Sequence, residues 1–216
     1  MTKVAFMVDG GFFRNRSQAI WGKQSAQEVA KKLDRLCKEH LKYDPGCELY
    51  RIFYYDCKPS GKKVNNPLTN TTKDLSQDGM YKWTETFFTE LKKIRKMALR
   101  FGSIQDSKLA YTLKPAVVKD LLNGKRNIKS LIDDDLKLNI TQKGVDMRIG
   151  LDIASLAHKK LVNQIVLISG DSDFIPIVKY ARREGIDFIL DSMGDNIKPE
   201  LFEHLDEHRN LHLQIT

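Results

Sequence analysis

Residues 166–185 read VLISGDSDFIPIVKYARREG. An apolar run, Ile165 to Ile168, reaches the small residues Ser169 and Gly170 and at once meets two aspartates, Asp171 and Asp173. A helix-like pattern follows and closes at Gly185. A short, unbroken apolar run fits a strand covered on both faces, as in a parallel sheet. The stretch is therefore a strand handing over to a helix, with two carboxylates at the joint.

The same rhythm extends to both sides. Downstream, Ile186 to Leu190 reads as a strand with Asp191 at its end, Ile197 to Leu205 as a short helix, and Leu211 to Ile215 as a final edge strand. Upstream, Val145 to Leu161 is helical and apolar around much of its circumference. At the N-terminus, Lys3 to Val8 is a short apolar run that ends in Asp9. Residues 25–42 place Val29, Leu33, Leu36, Cys37 and Leu41 on one stripe of an amphipathic helix. Leu49 to Tyr55 is aromatic and β-branched, a second strand ending at Asp56. Strand, helix and strand at this spacing form a right-handed βαβ unit, and the fold class is α/β with a mainly parallel sheet.

Residues 57–140 break the rhythm, and the chain reads as one domain with this span as an insertion or variable substrate-contacting region. Lys58 to Lys82 is rich in Pro, Gly, Asn and Ser and reads as a long loop. Trp83 to Leu99 reads as a helix carrying Lys92, Lys93, Arg95 and Lys96, with Arg100 just beyond. A strand or hairpin is expected within Phe101 to Leu113. Residues 114–144 mix short apolar pieces with the basic run KRNIK, which holds Lys125, Arg126 and Lys129, and an acidic run, Asp133 to Asp135.

Composition narrows the function classes. The 216 residues are 41% hydrophobic and 30% charged, and the formal charge is +8 with a pI near 9.3, which suits a polyanionic partner. There is no apolar stretch of about 18 residues, so a membrane span is not expected. The N-terminal run lacks the length and flanks of a signal peptide. Cys37, Cys47 and Cys57 are an odd number without CxxC spacing, which fits a reduced, cytoplasmic setting.

The acids carry the chemistry. FMVDGG ends the first strand with Asp9, LISGDSDF follows a later strand with Asp171 and Asp173, and KGVDMRIGLD opens a helix with Asp146 and holds Asp152 further on. In open parallel sheets ligands bind outside the carboxyl ends of the strands, so neighbouring strands would bring these acids to one rim. Close carboxylates repel and need cations or protons to neutralise them. Oxygen ligands without His or Cys select Mg²⁺ or Mn²⁺, ions that polarise phosphate esters and activate water. Asp and Ser are also favoured helix caps, and Asp-Gly after a strand is a common turn, so each motif has a purely local reading as well.

In their order along the chain, V-x-x-M-V-D-G-G-F, K-G-V-D-x-x-x-x-x-D and S-G-D-S-D-F followed by P-I-V-K-Y-A-R-R-E-G resemble the NYN domain, the branch of PIN-like nucleases that includes the LabA-like (DUF88) proteins. The resemblance covers residues 3–56 and about 141–206, with SGDSDF its most specific part. It implies a three-layer α/β/α fold, an acidic pocket for a divalent metal and, for many members, RNA cleavage. Carried over by motif, Asp9 corresponds to the first acid, Asp146 to the helix-borne acid, and Asp171 and Asp173 to the acids of the turn. Asp152 matches the second acid of KGVD, but it sits about 240° round an ideal helix from Asp146, so both cannot face one ion. Many relatives carry Asn two or three places after the first Asp; Gly11 and Phe12 stand there in this chain, with Arg14 and Asn15 further on.

The expectation is a metal-dependent nuclease, acting on RNA in preference to DNA, with Asp9, Asp146, Asp171 and Asp173 as catalytic and metal-holding residues. Asp152, Ser169, Ser172 and Asp191 are secondary candidates. Lys92, Lys93, Arg95, Lys96, Lys125 and Arg126 are candidate phosphate contacts, although such runs are also the pattern of a solvated face. His204, His208 and His212 recur every four residues and read as surface histidines, since no further ligand is placed nearby. The competing readings are a non-catalytic RNA- or protein-binding module and a phosphatase for small phosphate esters.

Overall fold

The apolar run Val4 to Val8 forms the heart of the molecule, each of its residues no more than 1% exposed. The computed structural model describes residues 1–105 and 109–214. In chain order the elements begin with β1 (Thr2–Asp9), α1 (Gly10–Trp21), α2 (Ala26–Tyr43), β2 (Cys47–Asp56), β3 (Lys63–Asn65), β4 (Thr72–Asp74), α3 (Gly79–Leu91), β5 (Met97–Phe101), β6 (Ser103–Ile104) and β7 (Ala110–Leu113). They continue with α4 (Pro115–Leu122), β8 (Leu136–Asn139), β9 (Gln142–Lys143), α5 (Val145–His158), β10 (Gln164–Ile168), α6 (Ile175–Arg183), β11 (Asp187–Asp191), α7 (Pro199–Phe202) and β12 (Glu207–Arg209).

The main sheet has six strands in the order β12-β11-β10-β1-β2-β5, and every pairing in it is parallel. Strand alternation divides the core into two layers. Val4, Phe6, Val8, Val166, Ile168 and Ile189 face α1, α2 and α3, while Ala5, Met7, Ile165, Leu167, Phe188 and Leu190 face α5 and α6. The architecture is three-layered, α/β/α. The chain winds outward from β1 through β2 to β5, then returns to place β10 on the other side of β1. The order reverses between β1 and β10, and the carboxyl ends of those two strands flank the crevice where such sheets bind ligands.

Most of the expected elements form near their expected bounds, with helix α2 held by Ser25 and Glu28 in a reciprocal capping box. Three differ. The expected helix 83–99 is α3 followed by a turn and β5; Lys96 at φ 63° reverses the chain, and pairing with β2 draws Met97–Phe101 into the sheet. The expected final strand 211–215 is instead β12 followed by a 3-10 turn at Leu211–Gln214, with residues 215 and 216 outside the described residues. His212 is only 7% exposed, packed beside Gly194, and so is not a surface histidine.

Residues 57–140 are mixed in structure. Helix α3 and strand β5 belong to the layered body, whereas β3/β4, β7/β8 and the β6/β9 pair are small antiparallel ladders outside the main sheet. Among the described residues no helix is long and apolar enough to cross a membrane.

Candidate active site

Asp9 ends β1 and caps α1. Its Oδ1 accepts from the Phe12 N–H at 3.1 Å, which satisfies one of the free donors of the helix start. Its Oδ2 accepts from the Ser169 hydroxyl at 3.4 Å, across the gap from the end of β10. Ser169 is fully buried, and its Oγ also accepts from the Asp171 N–H at 3.3 Å. Asp171 in turn caps the 3-10 turn Ser172–Phe174, accepting from the Asp173 N–H at 2.9 Å. The local cap reading of the motif is thus realised at both Asp9 and Asp171, and it leaves one oxygen of Asp171 outside the cap. Asp146 stands exposed in the first turn of α5, after Gly144 at φ 78°.

The carboxylates act on one another. Burial pushes the Asp9 carboxyl up to about 6, with Asp146 and Asp56 adding to the rise and the Phe12 N–H opposing it. Partial desolvation also raises Asp146, with Asp171 and Asp173 contributing. Asp146 is thus the link between Asp9 on one side and Asp171 and Asp173 on the other. Their oxygen-only donor set suits a hard divalent cation in its chemistry. Among the described residues, however, no three Asp, Glu, His or Cys side chains stand close enough together to hold an ion as they are.

The secondary candidates separate by sheet face. Asp152 accepts from the Tyr55 hydroxyl at 2.8 Å and from Arg100 Nε at 3.2 Å, turned toward β2 and β5 as its helical spacing from Asp146 requires. Ser172 accepts from Lys198 Nζ at 3.0 Å. Asp191 is fully buried on the opposite face of the sheet, where it meets His40 Nε2 at 2.8 Å and accepts from the Met193 N–H at 2.7 Å.

One acid escaped the sequence reading. Asp56, fully buried at the end of β2, forms a 3.0 Å ion pair with Arg14 and accepts from the Cys57 N–H at 2.7 Å. The available signal was its position, since it ends a strand just as Asp9 does. The basic candidates, by contrast, lie elsewhere. Lys92, Lys93, Arg95 and Lys96 occupy the turn before β5, at the amino end of the sheet and away from the acids; Lys93 pairs with Glu90, and Lys96 Nζ donates to the Leu49 carbonyl. Arg126 is engaged with both oxygens of Asp135, at 2.7 and 2.5 Å, and Lys125 follows the α4 turn.

Comparison with known proteins adds a family to this geometry. The NYN domain pattern matches residues 85–209, a span that holds Asp146, Asp171 and Asp173 and leaves Asp9 outside. No curated protein matches the chain. Among solved structures, the chain is similar to a protein of unknown function, VPA0982, from Vibrio parahaemolyticus, at 13% identity and a TM-score of 0.50, over 96% of this chain and 91% of that one. At that identity the likeness concerns the fold alone. A maltogenic α-amylase, AmyB, from Thermotoga neapolitana aligns at 7% identity over 95% of this chain and 48% of that one; its TM-score of 0.23 is too low to bear on the fold.

Proposed function

The chain belongs to the NYN domain family of PIN-like nuclease domains, and on that premise we propose that it is a metal-dependent ribonuclease working at the β1–β10 switch point. What supports the reading is an electrostatic chain at that rim: Asp146 helps to raise Asp9, and Asp171 and Asp173 help to raise Asp146. These four residues would hold Mg²⁺ or Mn²⁺. The chemistry such an ion supplies is charge neutralisation at a phosphodiester and activation of water for attack on it.

The chain's own groups prepare the site. Ser169 ties Asp9 to the Asp171 turn through a single hydroxyl, which joins the ends of β1 and β10. The Phe12 and Asp173 N–H groups fix one oxygen each of Asp9 and Asp171. Lys198, held on Ser172 between Asp171 and Asp173, offers a cation beside the turn, and Arg14 offers another beside Asp56. Both suit a phosphate backbone. The formal charge of +8 supports a nucleic-acid substrate, with RNA favoured over DNA by the family. The three free cysteines suit a reducing compartment, and we assign the protein to the cytoplasm.

A binding module is the competing reading, favoured by the lack of a converged ion-holding triad among the described residues. Labelled single-stranded RNA and DNA, incubated with the protein in Mg²⁺, in Mn²⁺ and in EDTA beside Asp171→Asn, decides between them. Metal-dependent RNA cutting that the substitution removes is the expected result. RNA bound but uncut in every condition would sink the ribonuclease.

A further inference from the structure

A cleft of about 570 Å³ opens between α1, the α1–α2 turn and the first turn of α3. Its volume is within the usual range of small-ligand sites. Arg14, Asn15 and Gln18 line it from α1, Gln24 from the turn, and Met80 and Trp83 from α3. No aspartate or glutamate is among its lining residues, while Lys23 is, beside Arg14 whose charge is shared with Asp56, so the cleft suits an anionic chain.

Two features point to a flat, hydrogen-bonding ligand. Trp83 forms a fixed aromatic wall: one side stacks on Phe87 at 5.1 Å between centroids and 17° between planes, and its Nε1–H donates to the Gln24 carbonyl at 3.0 Å. The Gln24 side chain donates its amide N–H to the Trp21 carbonyl at 3.3 Å. Its Oε1 is left buried and, among the described residues, without a hydrogen-bond partner. Exocyclic amino groups of nucleobases are donors of the kind this acceptor lacks, and aromatic walls bind bases by stacking.

The cleft and the acidic rim share one rigid element. Asp9 caps α1 and Gln18 lies nine residues on, about 14 Å along the axis. Arg14 belongs to both places, lining the cleft while its guanidinium holds Asp56 beside Asp9. We propose that this cleft receives a base of the single-stranded RNA whose backbone passes the acidic rim. The proposal rests on the ribonuclease reading and adds to it a base-binding subsite with Trp83 as its wall.

The test uses fluorescence excited at the red edge of tryptophan absorption, because the chain has two tryptophans and Trp21→Phe leaves Trp83 as the sole tryptophan. In EDTA, short oligoadenylate is expected to quench Trp83 and to bind about 5- to 150-fold tighter than an abasic ribose-phosphate strand of equal length. Met80→Glu, made in the otherwise native chain at a residue 62% exposed, is expected to lower oligoadenylate affinity about tenfold by anisotropy while leaving abasic affinity less changed. Equal affinity for the two strands, or no effect of Met80→Glu, overturns the subsite. A parallel assay with metal keeps the two ideas apart. Cutting of RNA with no base-dependent affinity sinks the cleft and spares the nuclease; base-dependent quenching without cutting supports the cleft and sinks the nuclease.

Discussion

The carbonyl oxygen of Tyr55 lies 2.5 Å from the point where a Cβ on Gly10 would stand, and Asp56 Oδ2 lies 2.7 Å from it. The ends of β1 and β2 thus meet at backbone contact immediately beside Asp9. Gly11 has ordinary space, with its nearest contact at 3.5 Å. Gly10→Ala is expected to destabilise the fold by about 3 kcal/mol, since a strand carbonyl cannot retreat as a side chain can. Gly11→Ala, within α1, should be neutral or stabilising by up to about 1 kcal/mol. Urea denaturation of both variants checks the pair, and equal effects would show that the contact is not what demands the first glycine.

Asp9 makes stability depend on pH. Its carboxyl is raised to about 6, so the folded state holds that proton more tightly than the unfolded state does. The ionised group therefore costs stability above about pH 6, and stability is regained as pH falls from there toward about 4, the unfolded value. Asp9→Asn keeps a capping oxygen for the Phe12 N–H. In EDTA it should be more stable than the native protein at alkaline pH by on the order of 1 kcal/mol, a figure already reduced for partial exposure of the site. The advantage should fade in acid. Thermal melts across pH show this directly, and a variant less stable in alkali would contradict the raised carboxyl.

Arg14 and Asp56 form an ion pair with Asp56 fully buried and the Arg14 side chain 22% exposed. Burial raises the Asp56 carboxyl and the neighbouring Arg14 opposes the rise. Arg14→Met strands the carboxylate and should cost on the order of 3 kcal/mol, less in mild acid where protonation relieves the charge. Adding Asp56→Asn should restore most of the loss. Denaturation of the single and double variants measures the coupling, and an additive pair of losses would argue against a direct interaction.

Asp191 ends β11 as Asp9 ends β1, yet it serves packing. Asp191→Asn weakens its contacts to His40 and the Met193 N–H and should destabilise by about 2 kcal/mol. RNA cleavage per folded molecule should be unchanged. Asp146→Asn should do the reverse, abolishing cleavage with little effect on melting, because its side chain is exposed. Turnover assays corrected for the folded fraction distinguish the two, and loss of turnover in Asp191→Asn would return it to the active site.

Local signals served well where burial is continuous or periodic. The apolar runs at Val4–Val8 and Ile165–Ile168, the α2 stripe and the acids closing β1 and β11 were legible, because each is written within a few neighbouring residues, whereas Asp56 was read as a strand end and not as part of the site. The run from Lys92 to Phe101 shows where this ends. Its residues are compatible with helix, and only pairing with β2 makes Met97–Phe101 a strand. The basic residues of that turn read as substrate contacts on charge alone, but the parallel sheet carries them to the end opposite the acids.

The sequence by itself determined that β1, β2 and β11 would each end in a carboxylate and that β10 would run into two more. Which ends become neighbours was decided only by the tertiary structure, since β1 and β10 pair across more than 150 residues of chain and no local pattern encodes that choice. Alternation then sorted the acids. Asp9 and Ser169 share the α5 face with Met7 and Leu167, whereas Asp56 and Asp191 fall on the α1–α2 face with Tyr54 and Ile189 and find Arg14 and His40. A side chain's face follows from its place in a strand, but what waits on that face follows from how the sheet is wound.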